Sequence, residues 1–143
     1  DSYLRDIAAY FSSLDLPYPP PAVTKATADE LRHGETLVLR GDESRKLPAC
    51  SQCHGTPLTG VTPAIPGLLG LPAAYMSAQL GAWRAGQRKA QTPDCMGEMA
   101  KSLTQADINA VAAWLAAQPM PPSSKPVAAA PGPLPLKCGG VPQ

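Results

Sequence analysis

Cys50-Ser51-Gln52-Cys53-His54 is the stretch from which the rest of this chain is read. Its C-x-x-C-H form is that of covalent haem attachment. Two thiols three positions apart can each bond a vinyl group on the same edge of a porphyrin. The histidine that follows falls beneath the iron, where its imidazole serves as the proximal axial ligand. Other uses of a cysteine pair fit less well. A zinc site needs a second pair to close its tetrahedron, whereas Cys95 and Cys138 stand alone and His33 is the other histidine. A thioredoxin-like dithiol needs strands alternating with helices, and no such pattern surrounds these residues.

The 18 prolines of the 143 residues are clustered. They crowd Pro17 to Pro21 and again Pro119 to Pro135, and the second tract reads as an extended, polyproline-like strap. Three regions follow: residues 1–23 as a helix and Pro-rich linker, 24–120 as the domain, and 121–143 as a Pro/Ala-rich tail. A domain of that size has a modest core, and a buried haem supplies apolar volume that the side chains lack. The formal net charge of +1 gives no argument for nucleic acid or anionic membrane as a partner. No apolar run reaches the length that crosses a bilayer.

Four helical stretches and no strand are expected. Asp1 or Ser2 caps the first, where Tyr3, Leu4, Ile7, Tyr10, Phe11 and Leu14 recur at helical spacing. Thr27-Ala28-Asp29-Glu30 is a capping box opening the second, which runs towards Gly41. Pro72 suits the first turn of the third, with Tyr75, Met76, Gln79, Leu80 and Trp83 on one face and Gly86 at its end. The fourth has Thr104 as cap, Asp107 in the answering position, and Leu103 with Ile108 as a hydrophobic staple. Its buried stripe is Ile108, Val111, Ala112 and Leu115. The Gly-, Pro- and Thr-rich stretch from Cys53 to Pro72 is expected to be loop.

The first helix repeats the last: Ile7-Ala8-Ala9-Tyr10-Phe11-Ser12-Ser13 aligns with Val111-Ala112-Ala113-Trp114-Leu115-Ala116-Ala117. Two Ala-rich amphipathic helices can match by chance. The other reading makes the first helix the closing helix of an earlier haem module, so that the chain is a remnant or a piece of a multihaem cytochrome.

With these residues placed, the chain resembles class I cytochrome c, in particular the modules of periplasmic dihaem cytochromes and the cytochrome subunits of bacterial dehydrogenases. The resemblance covers about Ala26 to Gln118. It implies an all-α fold around one covalently bound haem c, to which this chain adds an N-terminal helix and the Pro-rich C-terminal strap. Cys50, Cys53 and His54 match the attachment site, and Pro66 matches a proline whose carbonyl accepts the other imidazole N–H of His54. Tyr75, Gln79-Leu80 and Trp83-Arg84-Ala85-Gly86 resemble the family's third helix and its exit. Gly34 and Trp114 match the partners at the crossing of the N- and C-terminal helices. Met96, seven residues before Leu103-Thr104, falls at the sixth iron ligand.

Met99 is the competitor, both being placed in the loop ahead of the last helix; the loser fills a gap near the haem. Met76 is expected in the core and Met120 exposed in the strap. Leu71 departs from the resemblance, standing where related modules often carry a polar residue. In an oxidising compartment Cys95 and Cys138 form a disulfide that straps the tail across the Met96 segment; the alternative is two free thiols.

The resemblance implies a periplasmic electron carrier and not an enzyme, exported with its leader already removed. His54 and Met96 fill both axial positions, so single electrons move by outer-sphere transfer. Its partners are redox proteins, a dehydrogenase and a downstream acceptor, meeting in small, brief encounters. Arg45, Lys46, Arg84, Arg88 and Lys89 either ring the haem edge or form a solvated basic face, and Arg84 or Arg88 is expected to reach a propionate. The rival function is an enzyme or gas sensor with an open haem position, which requires that Met96 not bind iron.

Overall fold

The computed structural model describes residues 2–14 and 17–141, so the expected cap at Asp1 lies outside the described residues. Among the described residues, six α-helices and one small sheet follow in order: α1 (Ser2–Ser13), α2 (Ala28–Leu39), α3 (Cys50–His54), β1 (Gly60–Val61), β2 (Ile65–Pro66), α4 (Ala73–Arg84), α5 (Cys95–Ser102) and α6 (Gln105–Ala116).

The helix ends are where side-chain chemistry puts them. Thr27 accepts from the Glu30 N–H while the Glu30 carboxylate accepts from the Thr27 N–H, a reciprocal capping box at α2. Thr104 and Asp107 do the same at α6. Leu103 and Ile108, flanking that cap, are both buried in the core, which fixes how the chain enters α6. Pro72 is the N-cap of α4, one position earlier than its expected place in the first turn.

The core lies where α2, α4 and α6 meet. Leu37 and Val38 of α2, Met76 of α4, and Ile108, Val111 and Leu115 of α6 pack there with Leu47, Leu58 and Leu103. The α2–α6 crossing depends on Gly34. A Cβ at that position would overlap the Ala110 carbonyl oxygen and lie 2.7 Å from its carbon and 2.9 Å from Trp114 Cβ. Glycine therefore allows backbone-to-backbone approach between the two helices.

Three expectations are corrected. Met96 and Met99 are not loop residues; they lie in α5, which Asp94 caps by accepting from the Gly97 N–H at 2.9 Å. Strands exist, although each has only two residues: Gly60 pairs with Pro66 and Val61 with Ile65, antiparallel. Met120 is half-buried, not exposed, and its sulfur lies beside Gly70 together with the Tyr18 ring.

The flanking segments attach to the domain at defined points. Ala22 donates its N–H to the Ala116 carbonyl at 2.9 Å. Val127 of the tail bridges Val61 in parallel, its N–H donating to Gly60 O at 2.9 Å while its carbonyl accepts from the Thr62 N–H at 3.0 Å. Cys95 and Cys138 form a disulfide, with 5.3 Å between their Cα atoms. None of the described side chains of α1 is buried, and Tyr3, Leu4, Tyr10 and Phe11 are exposed. No helix of the described residues is long and apolar enough to cross a membrane.

Candidate functional site

Cys50, Cys53 and His54 occupy the single short helix α3, so both thiols and the imidazole are carried by one rigid turn. Gln52 closes that turn by accepting the Ala49 N–H at 3.0 Å. The two cysteines are not joined to each other, and no cluster of metal-ligating side chains exists among the described residues. Burial pushes the Cys50 thiol up to about 11 and raises that of Cys53 as well. Thiols held neutral in this way lack the lowered pKa of a redox-active dithiol.

His54 is buried, and its Nδ1 lies 2.7 Å from the Pro66 carbonyl oxygen. A carbonyl only accepts, so Nδ1 carries the proton and the Nε2 lone pair is left for a metal. Burial lowers the affinity of the imidazole for a second proton, against a smaller opposing effect of the Pro66 carbonyl. The ring is therefore neutral and oriented, the state an iron ligand needs. Pro66 suits its task because it ends β2, where pairing with Gly60 fixes its carbonyl.

Trp83, Arg84 and Arg88 are set around the end of α4. The Arg88 guanidinium stacks 4.0 Å over the Trp83 ring and contacts Gln79 Oε1. Arg84 is exposed in the last turn. Among the described residues Trp83 Nε1 and Thr59 Oγ1 are buried without a hydrogen-bond partner, and no motif marks Thr59. Buried indole N–H groups normally find an acceptor, so the Trp83 N–H fits a site that receives a polar group from outside the chain. A haem, with its carboxylate side chains, brings such acceptors. Met96 is half-buried at the start of α5, whereas Met99 packs against the core cluster. The structure thus brings His54 to Pro66 and Arg88 to Trp83, while Met96 stands on a separate element.

Arg45 is engaged in a network of carboxylates. It binds Asp42 at 2.6 Å and Asp107 at 2.7 Å, and Asp107 also meets His33 Nε2 at 2.6 Å. Burial opposes the charge on Asp107. Arg45, the Thr104 N–H, His33 and the Thr104 hydroxyl together outweigh it and hold the carboxyl well below the usual range. The Asp107 pairing in turn raises the Arg45 guanidinium further, with Asp42 adding to it. This network joins α2, the turn before α3 and α6, and it fixes the frame that carries the attachment helix.

The C-x-x-C-H turn, with its imidazole oriented to present one nitrogen, has the form of a c-type haem site. The chain belongs to the cytochrome c family, whose pattern it matches over residues 33–119. It is 43% identical to the thiosulfate dehydrogenase electron acceptor of Thiomonas intermedia over 82% of this chain and 53% of that protein. The chain spans about half the length of that protein and of cytochrome c4 of Azotobacter vinelandii. Among solved structures, cytochrome c4 of Acidithiobacillus ferrooxidans superposes with a TM-score of 0.69 at 28% identity, over 82% of this chain and 64% of that one. The thiosulfate dehydrogenase of Marichromatium purpuratum gives 0.71 at 33% identity, over 80% of this chain and 24% of that one. The chain is an electron-transfer cytochrome with covalently bound haem c, and Cys50 and Cys53 with His54 fit its attachment motif.

Proposed function

We propose that this chain is a periplasmic carrier of single electrons with His54 and Met96 as axial ligands, and that it accepts electrons from a thiosulfate dehydrogenase. The observation that carries the ligand reading is the commitment of His54 Nδ1 to Pro66, which leaves Nε2 as the nitrogen for iron. Bound haem supplies a one-electron iron couple, and a thioether ligand raises its potential.

The protein's own part is to hold that group still and dry. α3 fixes the two attachment points, β2 fixes the imidazole plane, and α5 presents Met96 from a capped helix start. With His54 and Met96 both bound to iron, no position would remain for oxygen or peroxide, which favours outer-sphere transfer over catalysis at the iron. A disulfide between Cys95 and Cys138 fits an oxidising compartment such as the periplasm. The donor is inferred from the relatives named as electron acceptors of thiosulfate dehydrogenase. Trp83, Arg84 and Arg88 form the basic, aromatic border on which a haem carboxylate is to be received.

The test is rapid mixing of the oxidised holoprotein with a thiosulfate dehydrogenase and thiosulfate, followed by the ferrous absorption bands. Reduction that depends on both additions is the expected result. A haem that stays oxidised with active enzyme present contradicts the assignment of the donor.

A further inference from the structure

The C-terminal tail is attached at two places, and each adjoins a segment proposed to carry an axial ligand. At Val127 it joins β1, whose partner β2 provides the Pro66 carbonyl that orients His54. The Val127 side chain also approaches Gly55, the residue after His54: a Cβ there would lie 3.0 Å from Val127 Cγ2. At its far end the tail is bonded through Cys138 to Cys95, the residue before Met96. Next to that bond, Gly139 donates its N–H to Pro93 O at 2.9 Å. Its Cα packs so closely on the Thr92 carbonyl that no side chain fits.

The Met96 segment has few other supports. Every residue from Arg84 to Pro93 is exposed, so the approach to α5 has no core of its own. The second half of α5 is held by buried Ala100 and by Met99 against the core. The helix also packs against α4 and buries Gly97 in its first turn; beyond that the turn rests on the Asp94 cap, which accepts from Gly97 at 2.9 Å and from Ala90 at 2.8 Å, and on the tail. Between its two attachments the tail carries Pro131, Pro133 and Pro135. Such a stretch has little slack, because proline restricts the extended chain to few conformations. An unbranched glycine-rich tether of that length would leave its end free to wander; this one holds it.

We propose that the tail is a clamp on the sixth-ligand segment: Val127, Cys138 and Gly139 are positioning residues that keep Met96 at the iron and the sixth position closed to outside ligands. The inference rests on Met96 as axial ligand. Holding the Met96 turn from the proximal side of the molecule lowers the population of states in which the thioether has left. Outside ligands bind only those states, so their apparent affinity falls by the same factor.

The experiment compares the oxidised holoprotein with its Cys95→Ser, Cys138→Ser double variant. The readouts are imidazole titration and the near-infrared sulfur-to-iron band. With the clamp removed, imidazole affinity rises about tenfold or more, while the band persists at zero imidazole. Equal affinities, within about twofold, overturn the clamp and leave the ligand assignment intact. Absence of the band from the parent protein removes Met96 as ligand, and the clamp falls with it. Should the variant fail to mature, the parent is used. Carbon monoxide uptake by the ferrous protein is then compared before and after the disulfide is reduced by a dithiol and alkylated. Faster uptake after alkylation supports the clamp, and an unchanged rate overturns it.

Discussion

Asp107 shows how much one residue can hold in a small domain. It closes the α6 capping box and accepts from Arg45 and His33, partners 62 and 74 positions away. Arg45 is about one third exposed and His33 about half, while the carboxylate is buried. The pairing is therefore worth less than a fully buried ion pair and more than a surface one, about 2 kcal/mol. Its pH dependence follows from the lowered carboxyl. The stabilisation is fully present above the unfolded value of 3.8 and is lost as pH falls below it towards the folded value. Asp107→Asn is expected to lose about 2 kcal/mol at pH 7 in denaturant unfolding of the holoprotein, with the gap closing below about pH 4. A gap that stays constant into acid would show that the charge on Asp107 contributes nothing. At this scale the sequence was legible where rules are local. The capping boxes and the C-x-x-C-H turn are written in residues three or four apart. The ties from Asp107 to Arg45 and His33 are not, because nothing in spacing reveals which distant side chains a fold will bring together.

Among the elements, α2 and α6 fix the frame, and Gly34 fixes their distance. A methyl group there meets the Ala110 backbone, which cannot rotate aside as a side chain could. Gly34→Ala gains about 1 kcal/mol in helix propensity and forces the crossing apart at a strain of about 3 kcal/mol. The net loss of about 2 kcal/mol should appear as a lower denaturation midpoint with an unchanged haem spectrum. A variant as stable as the parent would mean that the helices do not meet as described. The four long helices could be read from period and caps. α5 could not, because eight residues with Gly97 inside them carry a weak pattern. Its one local signal is Asp94, three positions before Gly97, whose N–H it accepts. The strands were hidden for a similar reason: two residues each is too short for alternation to show, and one of them is Pro66.

For the whole molecule, the tail is as much a part of the architecture as the helices. Linking Cys95 to Cys138, 43 positions apart, restricts the unfolded chain at an entropic value of about 4 kcal/mol. It also closes a circuit: α3 binds β2 through His54 and Pro66, β2 binds β1, β1 binds Val127, and the tail returns to α5. The strap itself was legible from its prolines, and the pairing from two leftover cysteines. Its seat at Val127 was not, since one valine in a Pro/Ala-rich run announces nothing. The basic residues show the reverse failure, because charge alone did not separate Arg45, which builds the frame, from Arg84 and Arg88 at the end of α4.

Whether iron sits between His54 and Met96 is read in the absorption spectrum of the oxidised holoprotein. A low-spin spectrum with the sulfur-to-iron band in the near infrared is expected, abolished by Met96→Ala and retained in Met99→Ala. A high-spin spectrum without that band in the parent, or a band that survives Met96→Ala, would contradict this ligation.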